Sequence, residues 1–211
     1  MTEPVRPRAS TLLKQRLLEA HRAELAAGLA WASSDPSLEA AAALVTGSRR
    51  RFVIGAATSF TYASLLAAKL SAALAKVTLV DGTIVRPLDL LSDVRDSDVM
   101  IAVSFSPYRR YTVEAAVPFV RAGGALVVIT DAPDAPLVEH ATEAVVIDAP
   151  GDRSDGAGRL HPESPLAPPV VVAMVIDVLT ALSSASAKGA QRRIADRERL
   201  AQELHLYLDP A

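Results

Sequence analysis

Five short apolar runs, at residues 52–54, 77–80, 98–103, 125–130 and 144–147, occupy the middle of the chain, and segments of helical pattern separate them. Strands this apolar leave a sheet no face to offer to water, so helices must cover both sides. Strand–helix alternation joins the strands by crossovers and makes the sheet parallel. The pattern predicts an α/β fold, a doubly wound, flavodoxin-like sheet with helices over about 61–74, 87–94, 113–122 and 136–141.

Helical segments flank this core. Leu13, Leu17, Leu18, Leu25 and Leu29 recur at helical spacing within residues 10–33, with Ser10 as N-cap. A second helix starts at Asp35-Pro36, with Asp35 as N-cap and Pro36 in its first turn, and ends near Gly47. After a polar loop at 151–161, a long apolar helix spans 165–184 and a last one 190–208. Residues 1–9 read as disordered. Residues 10–211 read as a single domain: N-terminal helices 10–47, α/β core 51–150 and C-terminal helices 165–208.

The chain has 211 residues, enough for one α/β domain with extra helices. Its net charge of −2 gives no electrostatic basis for contacting nucleic acid. With no cysteine there are no disulfides and no thiolate metal sites. The apolar stretches are interrupted before they reach bilayer length, and no secretory h-region follows the N-terminus. The expectation is a cytoplasmic protein with no membrane partner, no metal and no cofactor.

Two strand-to-helix loops carry the chemistry. The first, Gly55-Ala56-Ala57-Thr58-Ser59, follows the first strand, where ligands approach doubly wound sheets. Thr58 and Ser59 can cap the next helix, donate to a ligand, or both. The second, from Ser104 through Ser106, Pro107, Arg109 and Arg110 to Thr112, follows the third strand. Its hydroxyls can converge on one anion at a helix N-terminus, where the dipole and free N–H groups favour negative charge. Two arginines at such a terminus oppose the dipole unless an anion accompanies them; alternatively both point into solvent. Asp131 follows the fourth strand at the same edge, where N-capping is the stronger expectation and bracing the site the other. Asp81-Gly82, after the second strand, borders the same cleft. Arg49, Arg50 and Arg51 lie at the opposite edge, and a structural or surface role is expected for them. His21, His140 and His205 share no metal-ligand spacing.

These loops, with the segments from Asp98 to Ser106, from Thr112 to Ala116 and from Val127 to Pro133, resemble a SIS (sugar isomerase) domain. The chain is most similar to the sugar-phosphate-sensing half of MurR/RpiR-type transcriptional regulators, over roughly residues 12–208. The resemblance implies a three-layer α/β/α sandwich around a five-stranded parallel sheet. It also implies dimers or tetramers formed through helices. Its phosphate-binding hydroxyls map onto Ser59, Ser104, Ser106 and Thr112. Ala57 stands where the family has a second glycine, and Pro107 where it has the glycine of Ser-x-Ser-Gly. Proline removes a backbone N–H that could meet the phosphate. The regulators' helix-turn-helix domain has no counterpart: residues 1–35 hold five basic and four acidic side chains, which predicts no direct DNA binding by this chain.

The expected function is binding of a phosphorylated sugar by Thr58, Ser59, Ser104, Ser106, Arg109, Arg110 and Thr112, in a regulatory or sensing role through a homodimer or homotetramer. A phosphosugar isomerase is the alternative, with Glu163 as base and His161 as ring-opening acid. A SIS-fold oligomerisation module without ligand is the third reading.

Overall fold

A computed structural model describes residues 9–147 and 167–208. The expectations for residues 1–8, the loop at 151–161, His161, Glu163 and the start of the long helix at 165 lie outside the described residues.

Strands β1 (Arg50–Ile54), β2 (Val77–Val80), β3 (Asp98–Val103), β4 (Ala125–Thr130) and β5 (Glu143–Val146) form one parallel sheet in the order β2-β1-β3-β4-β5. Around it lie α1 (Ala9–Ala32), α2 (Ser37–Gly47), α3 (Thr58–Ala73), α4 (Pro87–Leu91), α5 (Arg110–Arg121), α6 (Pro169–Ser186) and α7 (Ala190–Glu203). Successive strand residues face opposite ways. Val53, Ile101, Val103, Val127 and Ile129 therefore pack under α2, α3 and α6, while Ile54, Met100, Ala102, Leu126 and Val128 pack under α4 and α5. This is the three-layer arrangement that the five apolar runs require. The α6 helix is apolar and long enough to cross a membrane, but Val171, Val172, Val175, Ile176 and Leu179 are buried in the first of these cores.

Arg50 and Arg51, at the N-terminal edge of the sheet, are structural. Arg51 is buried, and its guanidinium donates to the carbonyls of Val45 (2.6 Å) and Thr46 (2.9 Å) at the end of α2 and of Ala75 beyond α3 (3.0 Å). A cation there satisfies carbonyls that the helices leave without donors. Arg50 pairs with Asp98 at 2.6 Å and Asp93 at 2.9 Å. Burial pushes the Asp98 carboxyl up, but the Arg50 guanidinium and the Arg95 N–H outweigh it and hold it below the usual carboxylate range.

Several boundaries differ from the sequence expectation. Asp35 stands one residue outside the cap position; its carboxylate still accepts the Ser37 N–H at 2.8 Å and the Trp31 indole N–H at 3.0 Å. The segment 136–141 contracts to a single 3-10 turn, Val138–His140. Among the described residues the long helix begins at Pro169, a favoured first-turn residue. The last helix stops at Glu203 because His205 turns left-handed (φ 50) and the Leu206 N–H bonds back to the Ala201 carbonyl. Leu13, Leu17, Leu18 and Leu29 of α1, which recur at helical spacing, are 49–57% exposed.

Candidate anion-binding site

In the order β2-β1-β3-β4-β5, the chain leaves β1 towards one face of the sheet and β3 towards the other. Helix α3 packs on the α6 side and α5 on the α4 side. The crevice at the carboxyl ends of β1 and β3 is the switch point where such sheets bind ligands. Both chemistry-bearing loops end there.

The first loop is tight. A Cβ on Gly55 would lie 2.6 Å from the Ser59 carbonyl oxygen, so only glycine lets the first turn of α3 sit this close to β1. Ala57 occupies the cap position of α3 with φ 53 and ψ −127, a conformation normally left to glycine. The N-terminus of α3 carries no side-chain cap. The Phe60 N–H bonds to the Ala57 carbonyl at 3.0 Å, and the Thr58 and Ser59 N–H groups, which have no acceptor within the helix, are donors at the positive end of the dipole. Neither Thr58 nor Ser59 caps it. Instead the buried Ser59 Oγ accepts the Phe105 N–H at 3.4 Å, tying one loop to the other.

The second loop is braced from β4. The Thr130 hydroxyl donates to the Ser104 carbonyl at 2.7 Å. Among the described residues Asp131 caps no helix and follows the second expectation, bracing the loop. Its carboxylate accepts the Ser106 N–H at 3.1 Å and the Tyr108 hydroxyl at 3.1 Å. Burial and the Asp131 charge push the Tyr108 phenol up to about 12, so it stays a donor across the physiological range. Phe105 packs edge-on against Tyr62 of α3, with ring centroids 5.9 Å apart. The Ser106–Pro107 peptide is cis.

Between the loops lies a cavity of about 40 Å³, lined by Ala56, Ala57, Thr58, Ser59, Phe105, Ser106, Pro107 and Arg109. Four of the expected ligand residues meet there: Thr58, Ser59, Ser106 and Arg109. Ser104 and Thr112 are buried beside it, at 4% and 1% exposure, and do not line it. Arg110, 87% exposed, points along α5 to within 3.9 Å of Glu114 and is not part of the lining. Hydroxyls, an uncapped helix N-terminus and one cation thus meet at one cavity, and groups of these kinds can donate to a compact anion.

The SIS domain model matches residues 44–157, more than half of the chain and including both loops and Asp131. The chain belongs to the SIS domain family. No curated protein matches it. Solved structures share the SIS fold. The sugar isomerase domain of the RpiR transcription factor from Sphaerobacter thermophilus superposes with a TM-score of 0.72 at 21% identity, covering 88% of this chain and 99% of that one. The Vibrio vulnificus NanR protein, solved with ManNAc-6P, gives 0.72 at 18% identity, covering 92% and 73%. A Methanococcus jannaschii protein, for which 3-hexulose-6-phosphate isomerase function was inferred, gives 0.66 at 13% identity, covering 86% and 97%. SIS folds thus include regulators and proteins assigned as isomerases.

The site residues that sequence reasoning missed are Phe60 and Tyr111. Together with Gly55, Ala56, Ala57 and Asp81 they line a second cavity beside the first. Tyr111 stands directly before Thr112, but only the register of α5 turns it towards the loop after β2.

Proposed function

We propose that this SIS domain binds a phosphorylated sugar in the β1/β3 crevice and acts as a sensor or regulator of the RpiR type. The uncapped N-terminus of α3, which lines one small polar cavity together with Ser106 and Arg109, carries the reading. That NanR was solved with ManNAc-6P supports it from a shared fold. The exposed leucines of α1 supply the surface for a homodimer or homotetramer, through which occupancy would be signalled.

Calorimetric titration with a panel of pentose and hexose phosphates tests the reading. Saturable binding that Ser104→Ala with Ser106→Ala abolishes is expected; unchanged affinity in that variant contradicts it. The isomerase alternative rests on Glu163 and His161. It requires aldose–ketose interconversion by the wild type that disappears in Glu163→Ala.

A further inference from the structure

At the edge of the sheet opposite to the crevice, three helices end together. Thr46 near the end of α2, Ala73 at the end of α3 and Ser186 at the end of α6 line one cavity of about 610 Å³. Its size falls within the range of small-molecule sites. Three cations line it as well: Arg51, Lys188 and Arg193.

Helix C-termini attract cations, and part of this charge answers them. Arg51 is only 7% exposed and donates one N–H to each of the Val45, Thr46 and Ala75 carbonyls. Of the five N–H groups of its guanidinium, two are left over. Arg193 reaches the Ser71 carbonyl at 3.4 Å, from Nε and from one terminal nitrogen. Among the described residues, none of the three cations has a carboxylate within ion-pair distance. The charge balance of the cavity is positive. Each helix C-terminus carries about half an elementary negative charge, so three cations exceed three such ends by roughly one and a half charges. The positive end of α7, which starts at Ala190, adds to that excess.

Like charges gathered around one recess repel, and an anion carrying two charges offsets them together. The forks of Arg51 and Arg193 suit the paired oxygens of a phosphoryl or carboxylate group, and the exposed Lys188 supplies a point charge at the rim. The Thr46 hydroxyl already donates to the Ala42 carbonyl at 2.7 Å, so charge sets the affinity. We infer that the cavity bounded by Arg51, Lys188 and Arg193 is a second ligand site, for a small dianion of the phosphate-monoester or dicarboxylate kind, at the edge of the sheet away from the crevice. The inference does not rest on the phosphosugar reading. Helix α3 runs from one site to the other: Thr58 and Ser59 line the crevice cavity, and Ala73 lines this one.

The test follows amide chemical shifts while the wild type, Lys188→Gln and Arg193→Gln are titrated with inorganic phosphate, with succinate and, at matched ionic strength, with sodium chloride. Thermal unfolding of each variant controls for folding, and Lys188, being exposed, can be replaced without disturbing the core. Saturable shifts are expected at the amides of Leu74, Ser186, Lys188 and Gly189 with phosphate, succinate or both; the two probes show whether the site takes phosphoryl groups, carboxylates or either. Each variant is expected to weaken that binding by about three- to tenfold, the loss of one charge-assisted contact, and to leave the phosphate response of Thr58, Ser59 and Ser106 as in the wild type. Equal shifts with sodium chloride, an affinity unchanged in either variant, or no shifts at these amides overturn the dianion site and leave the crevice reading standing.

Discussion

Ala57 offers a direct test of whether the first loop has the geometry described. Its φ of 53 and ψ of −127 place an L-residue where the Cβ crowds the backbone. A residue held in so sparsely populated a region costs about 1–3 kcal/mol. Ala57→Gly removes that strain. It also enlarges the conformational freedom of the unfolded chain, which opposes the gain by about 0.5–1 kcal/mol. Ala57 is exposed, so no buried contact is lost with the methyl. The net expectation is stabilisation by about 0.5–2 kcal/mol, or a rise in Tm of about 1–8 °C for a chain of this size. Urea denaturation measures it as a higher midpoint at unchanged m-value. Unchanged or lower stability would refute the reasoning, because a glycine at an ordinary φ only weakens the fold.

Three further outcomes follow from particular contacts. Arg51→Leu leaves the carbonyls of Val45, Thr46 and Ala75 without their donors and is expected to destabilise by about 3–5 kcal/mol in chemical denaturation. Asp131→Ala frees the Ser106 N–H and the Tyr108 hydroxyl, and is expected to lower stability by about 1–3 kcal/mol and to weaken phosphosugar binding in calorimetry. The Tyr108 phenol, at about 12 when folded, binds its proton more tightly than the unfolded chain does. Its contribution to stability is therefore complete below the ordinary tyrosine range near pH 10 and is lost as pH rises through about 12. Alkaline unfolding of Tyr108→Phe should lack that component.

The sheet was legible because apolar runs bounded by Arg, Asp and Gly leave little choice of element, and burial on both faces then sets parallel pairing. The crevice was legible because ligands meet doubly wound sheets at strand ends, and Gly55 and Ser104 lie there. The role of Asp131 was legible only as the lesser of two expectations. Capping is a local property that its sequence neighbourhood invites, whereas bracing Ser106 and Tyr108 depends on β3 and β4 lying side by side. Tyr111 was hidden for the same reason: its partner surface, Gly82, belongs to a loop far away in sequence. The leucines of α1 show the limit of periodicity, which finds an amphipathic helix but not which molecule its apolar side meets. Arg110 sits one residue from Arg109 yet points elsewhere, since the start of α5 at Arg110 separates an extended residue from a helical one.

Amide chemical-shift mapping during titration with a phosphosugar tests the anion site most directly. Saturable shifts are expected at the amides of Thr58, Ser59, Phe105, Ser106 and Arg109, with inorganic phosphate moving a subset of the same signals. Shifts confined to other surfaces, such as the exposed faces of α1 and α7, or no shifts with any phosphosugar, would contradict binding at the β1/β3 crevice.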